Sequence, residues 1–156
     1  ACDLNPLDIS DDAQRLQLKS YIWPDQPERL AGGGGAHGAV IWAKRQTNGR
    51  GRMGRSWVSA EGNFFVSVLL APDVPLAKCP QLSFVAALAV AETLEAIVAD
   101  PKDIACKWPN DILCAGKKLG GILLEAFSTT EGTSKPRNWV AVGVGINIDS
   151  APLSRC

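Results

Sequence analysis

The chain is poor in the residues from which most metal sites and nucleophilic pairs are built. It has one histidine, His37, and its five cysteines (Cys2, Cys79, Cys106, Cys114 and Cys156) include no C-x-x-C pair. Zinc-ligand spacing is therefore absent, and so is a Cys–His or Ser–His pairing for covalent catalysis. An odd set of unpaired cysteines reads as reduced thiols of a cytosol-like compartment, with Cys106 and Cys114 expected to be buried structural residues. No apolar run approaches the ~20 residues of a membrane-spanning helix, and no basic-then-apolar leader opens the sequence. A cytoplasmic protein is expected, or an organellar one if a transit segment preceded Ala1. The formal net charge is zero, which excludes whole-molecule attraction to nucleic acid or to an anionic membrane. One further absence is local: there is no Asp or Glu between Glu28 and Glu61, whereas Arg29, Lys44, Arg45, Arg50, Arg52 and Arg55 all fall in that window. The potential there is positive.

What is present suits one globular domain covering 1–156, since 46% of the residues are apolar and 21% charged, enough to bury a core. A helix is expected from about Ser10 to Ser20, followed by a flexible loop at "AGGGGAHG" (31–38). "AVIWA" (39–43) and "NFFVSVLLA" (63–71) read as strands. The clearest helix runs from Gln81 to Val98, with Phe84, Ala87, Leu88, Ala91, Leu94 and Val98 as its apolar stripe. Strands are then expected at 103–108, 111–115, 119–127 and 139–148. "CAGKK" forms a hairpin turn between the second and third of these, and the polar segment 128–138 joins the last two. One main helix among about six strands gives an α+β fold, with a mixed, largely antiparallel sheet packed by helices.

"QTNGRGRMGRSW" (46–57) contains Gly49, Gly51 and Gly54 in the spacing G-x-G-x-x-G. A dinucleotide-binding turn of that spelling must open a helix. Only "RSWVSAEG" separates this one from the next strand, too short for a parallel crossover of about a dozen residues. A Walker A loop fails for want of a closing G-K-[ST]. A basic loop for nucleic acid, with Trp57 stacking on a base, remains a lesser reading, as does a solvated loop. Three crowded arginines with no neighbouring acid are best matched by a ligand anion, gripped by guanidinium forks and approached by glycine backbone. A second cluster, "KWPNDILCAGKKLGGILLE" (107–125), carries Lys107, Asn110, Asp111, Lys117 and Lys118 around a hairpin. Asn110 and Asp111 suit Mg²⁺, Lys118 suits a phosphate, and Gly120 and Gly121 leave backbone open to a ligand. The two clusters together favour a nucleotide and a carboxylate substrate.

These blocks and "VGVGINI" resemble, in order, the three signature blocks of the biotin protein ligase catalytic domain, in the biotin/lipoate ligase superfamily, over about 38–148. The resemblance implies a fold like that of class II aminoacyl-tRNA synthetases. It also implies a two-step reaction: biotin and ATP, with Mg²⁺, give biotinyl-5′-AMP, and the acyl group then passes to a lysine of a biotin carboxyl carrier domain of a biotin-dependent carboxylase. By position, Gln46, Arg50, Gly51, Arg52, Lys118 and Gly121 would contact biotin. Arg52, Arg55, Trp57, Asn110, Lys118 and Asn147 would serve the nucleotide, with Trp57 packing on adenine. Lys118, Arg52 and Asp111 would be catalytic, Asp111 also holding the magnesium ion. The arginine loop would close over the adenylate. The family's upstream Ser/Thr-Thr-Asn element is not found where it is expected, before Gln46. Two other readings therefore stay open: a ligase for lipoate or another acyl acid, and a catalytically impaired binding protein. No DNA-binding helix-turn-helix, no C-terminal β-barrel and no nucleic-acid or membrane partner are expected, and a homodimer is left open.

Overall fold

A computed structural model of the chain describes residues 6–8, 37–129 and 137–149. The expected helix at 10–20, the run of four glycines and the middle of the 128–138 connection lie outside those residues. The described strands are β1 (Pro6–Asp8), β2 (Ala39–Ala43), β3 (Phe64–Leu70), β4 (Ile104–Lys107), β5 (Asp111–Cys114), β6 (Lys117–Thr129) and β7 (Arg137–Ile146), with one α-helix, α1 (Leu82–Glu95). They form one sheet in the order β2-β3-β7-β6-β5-β4, all antiparallel, while β1 lies parallel to the far half of β6. The mixed, largely antiparallel α+β architecture expected from the sequence is the one observed.

Strand alternation divides the sheet into two faces with different tasks. On β7, Val140, Val142 and Ile146 are buried on one side, where they join Ile104, Ile112, Ile122 and Ala126 beneath α1. The alternate residues Ala141, Gly143 and Gly145 face the other way, and so do Gly121, Leu123 and Glu125 of β6 and Phe65 and Ser67 of β3. Around Gly121, Gly143 and Gly145 this second face is bare of bulk, while Leu69 and Trp139 are buried at its far end. Phe65 is fully buried beside the bare stretch, packed by Ile41, Ala43 and Trp57. Phe65→Ala is expected to cost about 3–5 kcal/mol, to be read by chemical denaturation.

The helix corrects one expectation. Ser83, Ala87, Ala91 and Leu94 are its buried residues, whereas Phe84 and Leu88 are 40% and 59% exposed. Apolar residues lie on most sides of this helix, so periodicity alone could not choose a face. Small side chains won the inward positions because they let the helix approach the sheet closely. Cys106 is also exposed rather than buried, and Cys114 is intermediate. Among the described cysteines Cys79 is the buried one, and burial pushes its thiol above the ordinary range.

Two local devices position the site. Ala115 and Gly116, both with positive φ (47° and 76°), make the two-residue turn that pairs Cys114 with Lys117, the geometry that matches strand twist. Two residues further on, the register slips: Ile112 faces Gly120 but Leu113 faces Lys118. Leu119 is thus an extra residue in β6, a β-bulge, and its carbonyl accepts a hydrogen bond from the Asn147 amide at 2.8 Å.

Candidate active site

In a regular strand Lys118 and Gly121 would point to opposite faces. The bulge at Leu119 reverses that parity and re-aims Lys118 onto the bare face. There its ammonium bonds Asp111 Oδ1 at 2.6 Å and lies 5.3 Å from the centre of the Trp57 ring, a cation–π contact. Asp111 opens β5 directly opposite Gly121. The two residues that the sequence placed on separate strands are therefore one ion pair.

The arginine loop folds back as a narrow hairpin with no helix after Gly54, which disposes of the dinucleotide-binding reading. Arg50 and Ser56 form an isolated antiparallel bridge. The Gly51 amide bonds the Arg55 carbonyl at 2.7 Å, and the Trp57 amide bonds the Gly49 carbonyl at 2.8 Å. The tip is a single 3-10 turn, Arg52–Gly54, in which Met53 takes a left-handed conformation (φ 59°). A side chain at Gly49 would strike the Trp57 carbonyl and stand only 2.6 Å from Gln46 Oε1. That oxygen accepts the Ser59 hydroxyl, also at 2.6 Å. Gln46 is thus fixed at the base of the hairpin.

Asn110 ties the hairpin to the sheet. Its Nδ2 donates to the Ile122 carbonyl at 2.8 Å, and its Oδ1 accepts from Arg52 Nη1 at 3.3 Å. The Asn110 oxygen that an ion would use holds Arg52 in this arrangement.

Trp57 is held by the sheet itself. Gly121 and Gly145 are cross-strand partners on β6 and β7, and together they leave a flat platform. The Trp57 ring lies on it: a Cβ at Gly145 would be 3.0 Å from the indole nitrogen, and one at Gly121 3.3 Å from the benzo edge. One face of the indole therefore lies against the sheet. The space foreseen above Gly121 is filled by this ring. The indole N–H is buried without a hydrogen-bond partner, leaving a donor for a ligand acceptor.

Hairpin and sheet enclose one cavity of about 470 Å³, lined by Gln46, Arg50, Gly51, Arg52, Arg55, Trp57, Asn110, Asp111, Lys118 and Gly121. Of the residues that the resemblance assigned to substrate binding or catalysis all but one converge there, while Lys107, Lys117 and Gly120 of the second cluster lie outside the lining. The exception is Asn147, which is buried just off β7, outside the lining, with its Oδ1 lacking a partner. Four cations (Arg50, Arg52, Arg55, Lys118) face two carboxylates (Asp111, Glu125) around this cavity, a net excess of two positive charges that suits anionic ligands. Gly143, Gly145, Ser67 and Glu125 also line the cavity or its floor and were not picked out beforehand. The signal for the glycines was present in "VAVGVGI", where every second residue is small. Among the described residues no group of three or more His, Cys, Asp or Glu could hold a metal ion, and no helix is long and apolar enough to cross a membrane.

Residues 34–147 match the Biotin/lipoate A/B protein ligase family. Residues 1–47 match a family described as an uncharacterized protein conserved in bacteria (DUF2332). Over 77% of its length the chain is 45% identical to a bifunctional ligase/repressor BirA of Bacillus spizizenii, of which it covers 35%. Over 73% it is 43% identical to a biotin--[acetyl-CoA-carboxylase] ligase of Paracoccus denitrificans, of which it covers 46%. The chain thus spans between about a third and a half of the length of these relatives. Its fold is similar to the crystal structure of a biotin protein ligase from Leishmania major in complex with biotinyl-5-AMP, with TM-score 0.61 and 31% identity over 83% of this chain and 55% of that one.

Proposed function

The chain belongs to the Biotin/lipoate A/B protein ligase family, and from that premise we propose that it is the catalytic part of a biotin–protein ligase. It activates biotin with ATP as biotinyl-5′-AMP and passes the acyl group to a lysine of a biotin carboxyl carrier domain. The observation that carries the proposal is the single cavity in which Lys118 and the arginine hairpin face each other across the Gly121–Gly145 platform. Its residues supply what the first step requires. A carboxylate and a triphosphate must meet although both are anions, and Lys118, Arg50, Arg52 and Arg55 offset their repulsion.

In that step a carboxylate oxygen of biotin bonds to the α-phosphorus as the bond to the bridging oxygen of pyrophosphate breaks. Lys118 exchanges Asp111 for the incoming carboxylate and the α-phosphate, while Arg52, anchored by Asn110, stabilises the negative charge on the α-phosphate oxygens. Gln46, Gly51 and Arg50 grip the acid and Arg55 the departing pyrophosphate. Trp57 walls the acid's chain through the exposed side of its ring. One carboxylate together with phosphate oxygens fits a Mg²⁺ ion that arrives with the nucleotide. Asp111 would hold such an ion, which would neutralise charge on the leaving group. In the second step the acceptor amine attacks the acyl carbon, the bond to AMP breaks, and a proton leaves the amine.

On this reading Asp111 takes that proton. Transfer from preformed biotinyl-5′-AMP in single turnover is expected to fall about a hundredfold in Asp111→Asn; normal transfer would remove Asp111 from this role. The whole proposal is tested by pyrophosphate release from ATP on adding biotin or lipoate. Release with biotin supports it, release with lipoate alone assigns a different acid, and release with neither leaves a binding protein.

A further inference from the structure

Asp111 lies between two lysines, and the steps above give work to only one of them. Lys107 ends the edge strand β4 directly opposite Asp111, which is in turn opposite Gly121 on β6 and, through it, Gly145 on β7. Residues directly opposite one another share a face, so Lys107, Asp111 and the glycine platform form one row on the bare face. Cys106 fixes the parity of β4 independently: its thiol donates to the Ala87 carbonyl of α1, on the other side of the sheet. Cross-strand neighbours have Cβ atoms ~4.5–5.5 Å apart, well within the span of a lysine side chain. Yet Asp111 is held by Lys118, at 2.6 Å, while Lys107 is exposed, outside the cavity lining, and makes no ion pair among the described residues.

That second cation answers a difficulty in the reaction. Lys118 must leave Asp111 to serve the incoming carboxylate and the α-phosphate. Once pyrophosphate has departed, Asp111 faces the phosphate of the adenylate as a partly buried anion without its counter-charge, which is unfavourable. On the reading given above, we propose that Lys107 is a positioning residue that takes over Asp111 when Lys118 turns to the adenylate. Asp111 then passes from one lysine to the other across a single sheet row, by side-chain rotation alone. The hand-over draws the carboxylate toward the β4 edge and away from the phosphate, leaving its second oxygen for the acceptor amine. It also confines the effect of Lys107 to the loaded site, because in the free chain Asp111 already has Lys118.

The test measures binding of biotinyl-5′-AMP to the full chain by calorimetry, without divalent cation, in a double-mutant cycle of Lys107→Met with Asp111→Asn. Lys107→Met should weaken binding about tenfold when Asp111 is present and less than about twofold in the Asp111→Asn background, the coupling expected of charged groups in contact. Lys107→Arg keeps the charge and should retain most of the affinity. Thermal unfolding of the free chain should be the same in Lys107→Met as in the parent, since the pair is not made there. Lys107→Gln carries the cycle if Lys107→Met does not fold. Equal weakening in both backgrounds would put Lys107 on the nucleotide itself, and no weakening, or weakening that Lys107→Arg shares in full, would show that its charge does not hold Asp111; each of these results overturns the hand-over. Absence of biotinyl-5′-AMP binding by the unaltered chain overturns the parent reading instead.

Discussion

Lys118→Ala is expected to lower biotin-dependent pyrophosphate release by on the order of a thousandfold, with folding stability changed by less than about 1 kcal/mol. The two readouts separate because Lys118 is connected to the site and not to the core. Its side chain is 44% exposed and its partner Asp111 24%, so water already screens the pair and its loss costs the fold little. In the reaction the same ammonium stands between two anions that must touch, where its charge counts most. Acyl-adenylate formation followed by chromatography, together with thermal unfolding, decides the matter. A variant that keeps full activity shows that the cavity is not the reaction centre.

Gly145→Val should be almost as damaging, by a different route. The indole nitrogen of Trp57 sits 3.0 Å from where the new Cβ must go, and a branched side chain there lifts the ring off its platform. Lys118 loses the aromatic face it rests against, and the hairpin loses the contact that seats it. Displacement of this kind, by an ångström or so, is expected to cost about a hundredfold in adenylate formation. Trp57 would also become more exposed, so its fluorescence should shift to longer wavelength, measured as the difference between each protein and its Trp57→Phe counterpart. Unchanged emission and unchanged turnover would mean that the platform is not what positions Trp57.

Much of this site was legible in the chain because it depends on residue type and spacing. The acid-free arginine window, the hairpin at "CAGKK" and the missing helix after Gly54 each follow from local rules, and each is seen in the fold. What escaped was set by pairing between distant segments. Trp57 could be placed on Gly121 and Gly145 only once β6 and β7 were known to bring those glycines opposite one another. Phe84 and Leu88 fall outside the buried side of α1 because the sheet, not the helix, decides which residues can come close. A single carboxylate in "GGILLEAF", Glu125, has no local reason to face a cavity. Only the alternation that starts at Gly121 puts it there.

A strand counts in twos, and the bulge at Leu119 is the one place in the site where that count is broken. The position of Lys118 is therefore encoded by the number of residues between it and Gly121 as much as by the lysine itself. Neighbouring side chains there can change while the lysine still faces the cavity. Loss of Leu119 would straighten the strand and still leave Lys118 on the face of Gly121, two residues away. One residue added to this stretch, with a single bulge kept, would leave every active-site residue present but turn the ammonium under α1, against Ile112 and Ile122.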